Sequence, residues 1–153
     1  MGLAERNALL NASLERAAEQ LGDITPKVME RYYARLPDAS THFDYYGHDN
    51  HQRLEGDMVE QVLYCLMEWY SSPGEIEVLL SSTIPHHLET LKVEPRAFAE
   101  LIDAVCSIIR DTIPTENTGE CAVWDELRNE LLSLSERECA YSLEWRARMA
   151  AMR

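Results

Sequence analysis

Basic residues are scarce in this chain. Its 153 residues include 14 Lys and Arg against 27 Asp and Glu, a formal net charge of −13 at pH 7. That excess of acid repels phosphate, which argues against nucleic acid as a partner and against an anionic membrane surface. Glycine and proline are also few, six of each, and the alternation of apolar and polar residues that marks strands is almost absent. No apolar run approaches the ~18 residues of a membrane span. The opening stretch MGLAERNALLNASLERAAEQ carries Glu5, Glu15 and Glu19 and has no signal-peptide apolar core. A cytoplasmic location is therefore expected.

The four cysteines, Cys65, Cys106, Cys121 and Cys139, are nowhere closer than 15 residues. Neither CxxC zinc spacing nor the CxxCH of covalent haem attachment is present. In a cytosolic chain they are expected to be reduced, and Cys65 and Cys106, inside apolar segments, read as core thiols. GxSxG, HExxH and the P-loop are missing. Carboxylates are plentiful, but nothing in their spacing pairs two of them as acid and base, so most read as solvated helix surface.

What is present is helical. Apolar residues make up 46% of the chain, enough for a core, and the length suits one domain over residues 1–153. Leu10, Leu14, Ala17 and Leu21 repeat at helical spacing. Thr25-Pro26 reads as a cap followed by a helix that presents Met29, Tyr32, Tyr33 and Leu36 and stops at Pro37. Asp38 to His51 is turn-rich. A strong helix follows from about Arg53 to Tyr70, and the SSPG of Ser71 to Gly74 breaks it. The next runs from Glu75 to about Leu91, where Pro85 should kink or end its first part. Pro95 opens a helix with Phe98, Leu101, Ile102, Val105, Ile108 and Ile109 inward. After a loop over Ile113 to Glu120, the last helix shows Trp124, Leu127, Leu131 and Leu134 and extends past Glu138. Six or seven helices make an all-α fold.

Among the five histidines, His42, His48 and His51 lie in or beside the polar loop, where exposed imidazoles are ordinary. His86 and His87 flank the apolar stripe at the C-terminal end of a helix, so one of them points near the core. A neutral imidazole there is either satisfied core or a ligand for iron through one ring nitrogen. Counting from His87, Leu91 stands at +4, Val93 at +6, Pro95 at +8 and Phe98 at +11. This set resembles the globin family, in which a proximal histidine is followed by an apolar corner, a proline opening the next helix and a phenylalanine against the haem.

The resemblance extends from about residue 5 to residue 135. RYYARLPDASTHF (Arg31 to Phe43) resembles the end of the second globin helix and the phenylalanine that wedges the haem, and LEGDMVEQVL (Leu54 to Leu63) resembles the distal helix. Trp124 resembles a tryptophan early in the last helix of bacterial single-domain globins and flavohaemoglobin globin domains. By resemblance, the fold is globin-like and the cofactor a non-covalent haem b, with His87 on the iron. Phe43, Met58, Val59, Leu91, Val93, Phe98 and Ile102 would surround the ring, and His86 or Lys92 would meet a haem propionate. Val59 is reached by counting 28 residues back from His87, and Gly56 would let two helices cross closely.

The sequence departs from the family at Glu55, where histidine or glutamine is usual, at Met29, where bacterial globins often have tyrosine, and at Thr83, which replaces a leucine. Met29 and Val59 offer no hydrogen-bond donor, and an ionised Glu55 only accepts. The resemblance therefore implies a pocket that favours CO and NO over O2, unless His48 or His51 swings in as a sixth ligand. The function implied is a carrier or sensor of a diatomic gas (O2, NO or CO), with a homodimer or a separate reductase or signalling protein as possible partner. Two alternatives stay open: a haem-free globin-like signalling or interaction domain, and a haem enzyme acting on NO or peroxide with a separate reductant.

Overall fold

Glycine and proline mark most of the helix boundaries. In the computed structural model, which describes all 153 residues, α1 (Leu3–Leu21) ends at Gly22, whose φ of +65° lies in the left-handed region that glycine adopts without a Cβ penalty. α2 (Thr25–Arg35) has Pro26 in its first turn, where a missing N–H costs nothing. α3 (Ala39–Tyr46) and α4 (His51–Glu68) follow, and the Asn50 side chain caps α4 by accepting from the Arg53 N–H at 3.0 Å. α5 (Pro73–Glu89), α6 (Arg96–Arg110) and the 34-residue α7 (Thr118–Ala151) complete the chain. All seven elements are helices, as the periodicity predicts. No helix is long and apolar enough to cross a membrane.

One local expectation is overturned, and at Pro85 one of the two expected outcomes, the end of the helix, is excluded. The turn-rich Asp38–His51 segment contains α3, because Phe43 is buried and draws one short helix onto the core. Pro85 does not end its helix, and α5 continues to Glu89. Proline denies the Ser81 carbonyl its usual partner. Ser81 is exposed, so water can take that place, while Ile84 and Leu88 anchor the turns that follow through their burial against Cys139.

α7 is the element against which α1, α5 and α6 pack, and α6 also contacts α2 and α4. One connected core of 25 buried residues runs through all seven helices. At about 1.5–3 kcal/mol for each large aliphatic side chain removed from water, this burial dominates the folding free energy. A smaller cluster, Ile84, Leu88 and Cys139, joins the ends of α5 and α7. All four cysteines are buried and free.

One charged pair lies inside this apolar frame. Glu120, only 6% exposed, takes both guanidinium nitrogens of Arg16, one at 2.8 Å, and also accepts from Ser13 Oγ at 2.9 Å. The Arg16 hydrogen bonds, aided by Ser13 and Asn117, outweigh burial and hold the Glu120 carboxyl below the ordinary carboxylate range. The resulting stability is fully present above the unfolded carboxylate pKa and is lost as pH falls through the lower folded value. Arg16→Met should lower the urea midpoint at pH 7, because it leaves the Glu120 carboxylate without its guanidinium partner. Glu120→Gln should flatten the Tm–pH curve below about pH 5. An unchanged urea midpoint for Arg16→Met would place the pair among ordinary surface ion pairs.

Candidate functional site

A cavity of about 460 Å³ is walled by α2, α3, α4, α5 and α6, with Leu131 of α7 at its back. Of the 27 residues that line it, 18 are hydrophobic, so it offers burial first and polar contact at few points. This size suits a small-molecule or cofactor site, typically about 300–1,000 Å³. The lining residues that are also exposed mark its mouth: Pro37, Asp38, His42, Gln61, His86, Glu94 and Arg96. Cations and acids alternate there. Arg96 is itself held by Glu94 at 2.9 Å and donates to the Arg35 carbonyl at 3.2 Å.

His87 enters the cavity from the last turn of α5. Its Nδ1 lies 2.8 Å from the Thr83 carbonyl oxygen, one turn earlier. A carbonyl only accepts, so Nδ1 carries the proton and a neutral ring keeps its lone pair on Nε2. Nε2 has no partner within the chain. Phe98 of α6 meets the imidazole edge to face at 5.6 Å between centroids, which limits ring rotation. His86 is exposed and sits at the mouth, its ring nearly perpendicular to that of His87.

Phe43, Met58, His86, His87, Leu91, Val93, Phe98 and Ile102 all line this cavity. Four residues of the expected site do not. Met29 is buried in the core. Lys92, in a left-handed turn with φ +57°, is exposed and points elsewhere. Val59 is buried on another face of α4, where it lines a second cavity of about 350 Å³ with Leu14, Ile24 and Ile109. The cavity face of α4 is instead Leu54, Met58, Gln61, Val62 and Cys65. One residue of register turns a helix by about 100°, so Val59 and Met58 stand on different faces of α4.

Glu55 is the fourth. It accepts from the Tyr33 hydroxyl at 2.8 Å and lies 3.1 Å from His51 Nε2, while His51 Nδ1 is 2.6 Å from Asp44. Both His51 nitrogens are thus engaged outside the cavity, where Tyr33 and Phe43 flank the ring. His51 is held, not free to swing inward. His42 is a mouth residue stacked on Tyr46, whose hydroxyl donates to the Leu91 carbonyl at 3.2 Å and ties α3 to the corner after α5.

Sequence reasoning also missed Tyr32. This side chain is 5% exposed, lines the cavity, and its hydroxyl makes no hydrogen bond to the chain. Burial, then Glu94 and Glu100, push its pKa up to about 12, so it stays a neutral donor. Tyr32 and Gln61 are both potential donors among the residues that line this cavity. Tyr32 stands on the Val28–Tyr32 face that reads simply as core. Cys65 also faces the cavity, and burial holds its pKa up at about 11, so it presents a thiol and not a thiolate. The chain matches no family model, no curated protein and no solved structure.

Gly56 does not sit at a tight crossing: a Cβ built there meets nothing within 4 Å. Gly47 is the constrained glycine, since its Cβ would come 2.5 Å from the Phe43 carbonyl and 3.1 Å from His51 Cα. Gly56→Ala should stabilise the protein by about 0.5–1 kcal/mol through helix propensity. Gly47→Ala should destabilise it by about 1–3 kcal/mol and loosen Phe43 at the cavity wall. Equal melting temperatures for the two variants would contradict this assignment.

Proposed function

We propose that the large cavity binds a non-covalent haem b, in a globin-like arrangement of the helices, and that the protein carries or senses a diatomic gas. The observation that supports this reading best is the hydrogen bond from His87 Nδ1 to the Thr83 carbonyl. It holds the ring by one nitrogen and leaves Nε2 without a partner in the chain, beside an apolar cavity of cofactor size, as metal-ligating histidines are held. When bound, haem supplies an iron with an open side for O2, NO or CO.

The chain's own residues divide the remaining work. His87 holds the iron, and Thr83 and Phe98 hold His87. Leu91, Val93, Ile102, Met58 and Val62 exclude water from a flat apolar ligand. His86, His42 and Arg96 at the mouth meet carboxylates, the part earlier given to His86 or Lys92. Cys65, as a thiol, does not compete with His87 for a metal at neutral pH. Tyr32 presents a proton to an acceptor that the bound ligand brings.

Haem titration followed by absorption spectroscopy tests the cofactor directly. Wild type should develop a sharp Soret band that shifts on reduction under CO. His87→Ala should lose haem affinity by more than the ~10–100-fold typical of an outer-shell loss, while His86→Ala keeps it. Absence of a Soret shift in wild type would leave the haem-free reading, and an unchanged His87→Ala spectrum would move the ligand elsewhere.

Tyr32→Phe should have opposite effects on the two states. Without haem it removes a hydroxyl that makes no hydrogen bond to the chain, so stability should hold. With haem it removes a donor, so the Tm gain on haem addition should shrink. The same gain as wild type would show that the hydroxyl touches nothing on the ligand.

A further inference from the structure

The C-terminal part of α7 leaves the core while keeping an apolar face. After Ser142 no residue of the chain is buried. Yet Tyr141, Trp145, Met149 and Met152 follow at i, i+4, i+8 and i+11, which places them along one side of the helix. They are 67%, 47%, 38% and 78% exposed. Single exposed apolar residues are ordinary, but a row at helical spacing is a patch. The segment is not frayed away from the bundle: Arg146 donates to the Leu88 carbonyl at 3.2 Å and pins it to the end of α5.

Charge identifies what covers this face. Upstream of Trp145 lie Glu136, Glu138 and Glu144, with one opposing Arg137. Downstream lie Arg146, Arg148 and Arg153, and no acid at all. The sign changes at Trp145, in the middle of the stripe. Two such segments side by side are complementary only when antiparallel, because a parallel pair sets arginine against arginine. An anionic surface fits poorly, since the chain as a whole carries −13.

We propose that this face is the self-interface of a twofold homodimer in which the two α7 ends pack antiparallel, with Trp145 on the axis. Tyr141 of each copy then lies over Met149 of the other, and Glu144 of each, which pairs with Arg148 of its own helix at 3.9 Å, also comes beside Arg148 of the other. The same patch serves both copies, as a twofold interface requires. With an aromatic side chain worth about 150–250 Å² when fully buried, the four residues at these exposures leave on the order of 500 Å² per copy. Doubled, this reaches the ~1,000 Å² floor for a specific interface, which sets the expectation at a weak, micromolar dimer.

Sedimentation velocity of the 153-residue chain from about 5 to about 500 µM, the span in which such an interface forms, should carry the mass from 17.6 kDa towards twice that value. High salt should weaken the association. Trp145→Ala should raise the dissociation constant about tenfold or more without changing the monomer's Tm, because the side chain supports no core. Mixing Tyr141→Cys with Met149→Cys protein under mild oxidation should give a mixed covalent dimer, with little of either protein linked to itself. Monomer at every concentration, a dimer indifferent to Trp145→Ala, or like-with-like cross-links would each overturn the proposal. So would a monomer that binds phosphatidylglycerol vesicles through the same stripe.

Discussion

The buried face of α7 is the surface on which the rest of the molecule is assembled. Trp124, Leu127, Leu131 and Leu134 stand at successive turns, each 2% exposed or less, and α1, α5 and α6 all close against this helix. Because α7 fills that side, α2 and α4 can reach the core only by packing on α6. Space is left between α4 and α5, with α3 arching over it. Leu131 belongs to both worlds, fully buried in the core and forming the back of the cavity. A change there would be felt as lost packing and as altered cavity shape together.

The front of the cavity is held by different forces from the back. α3 buries only Phe43, too little apolar area to fix a helix by burial alone. Its position depends on named polar contacts: Tyr46 to the Leu91 carbonyl, and Asp44 to His51, which also faces Glu55 and Tyr33. Elements with few buried contacts and exposed hydrogen bonds open locally at low cost. The front is therefore the part of the cavity wall that opens at least cost. The back, built on α6 and α7, is the rigid reference against which His87 and Phe98 are set.

Two kinds of polar burial serve two purposes. The Arg16–Glu120 pair is closed on itself, with Ser13 and Asn117 satisfying the remaining lone pairs, and it fixes how α1 meets the start of α7. Tyr32 and His87 differ: both line the cavity, and neither the Tyr32 hydroxyl nor His87 Nε2 has a hydrogen-bond partner in the chain.

The sequence by itself determined the helices, because 3.6-residue periodicity, Pro26, Gly22 and the Trp124–Leu134 stripe are local signals that act through the backbone. The wall of the cavity around His87 was legible too. His87, Leu91, Val93 and Phe98 lie within one short corner, where sequence offset and spatial offset stay coupled. The α4 wall was set by the tertiary packing alone. Whether Met58 or Val59 faces the cavity depends on the rotation of α4 about its own axis, which its packing on α2, α3 and α6 sets and no count across a loop can recover. The same holds for α3, whose residues form a helix because Phe43 has a core to enter. It holds for Tyr32, which periodicity marks as buried without revealing that its hydroxyl faces open space. Burial is a one-dimensional pattern along a helix, but what lies opposite a buried atom is a property of the assembled fold.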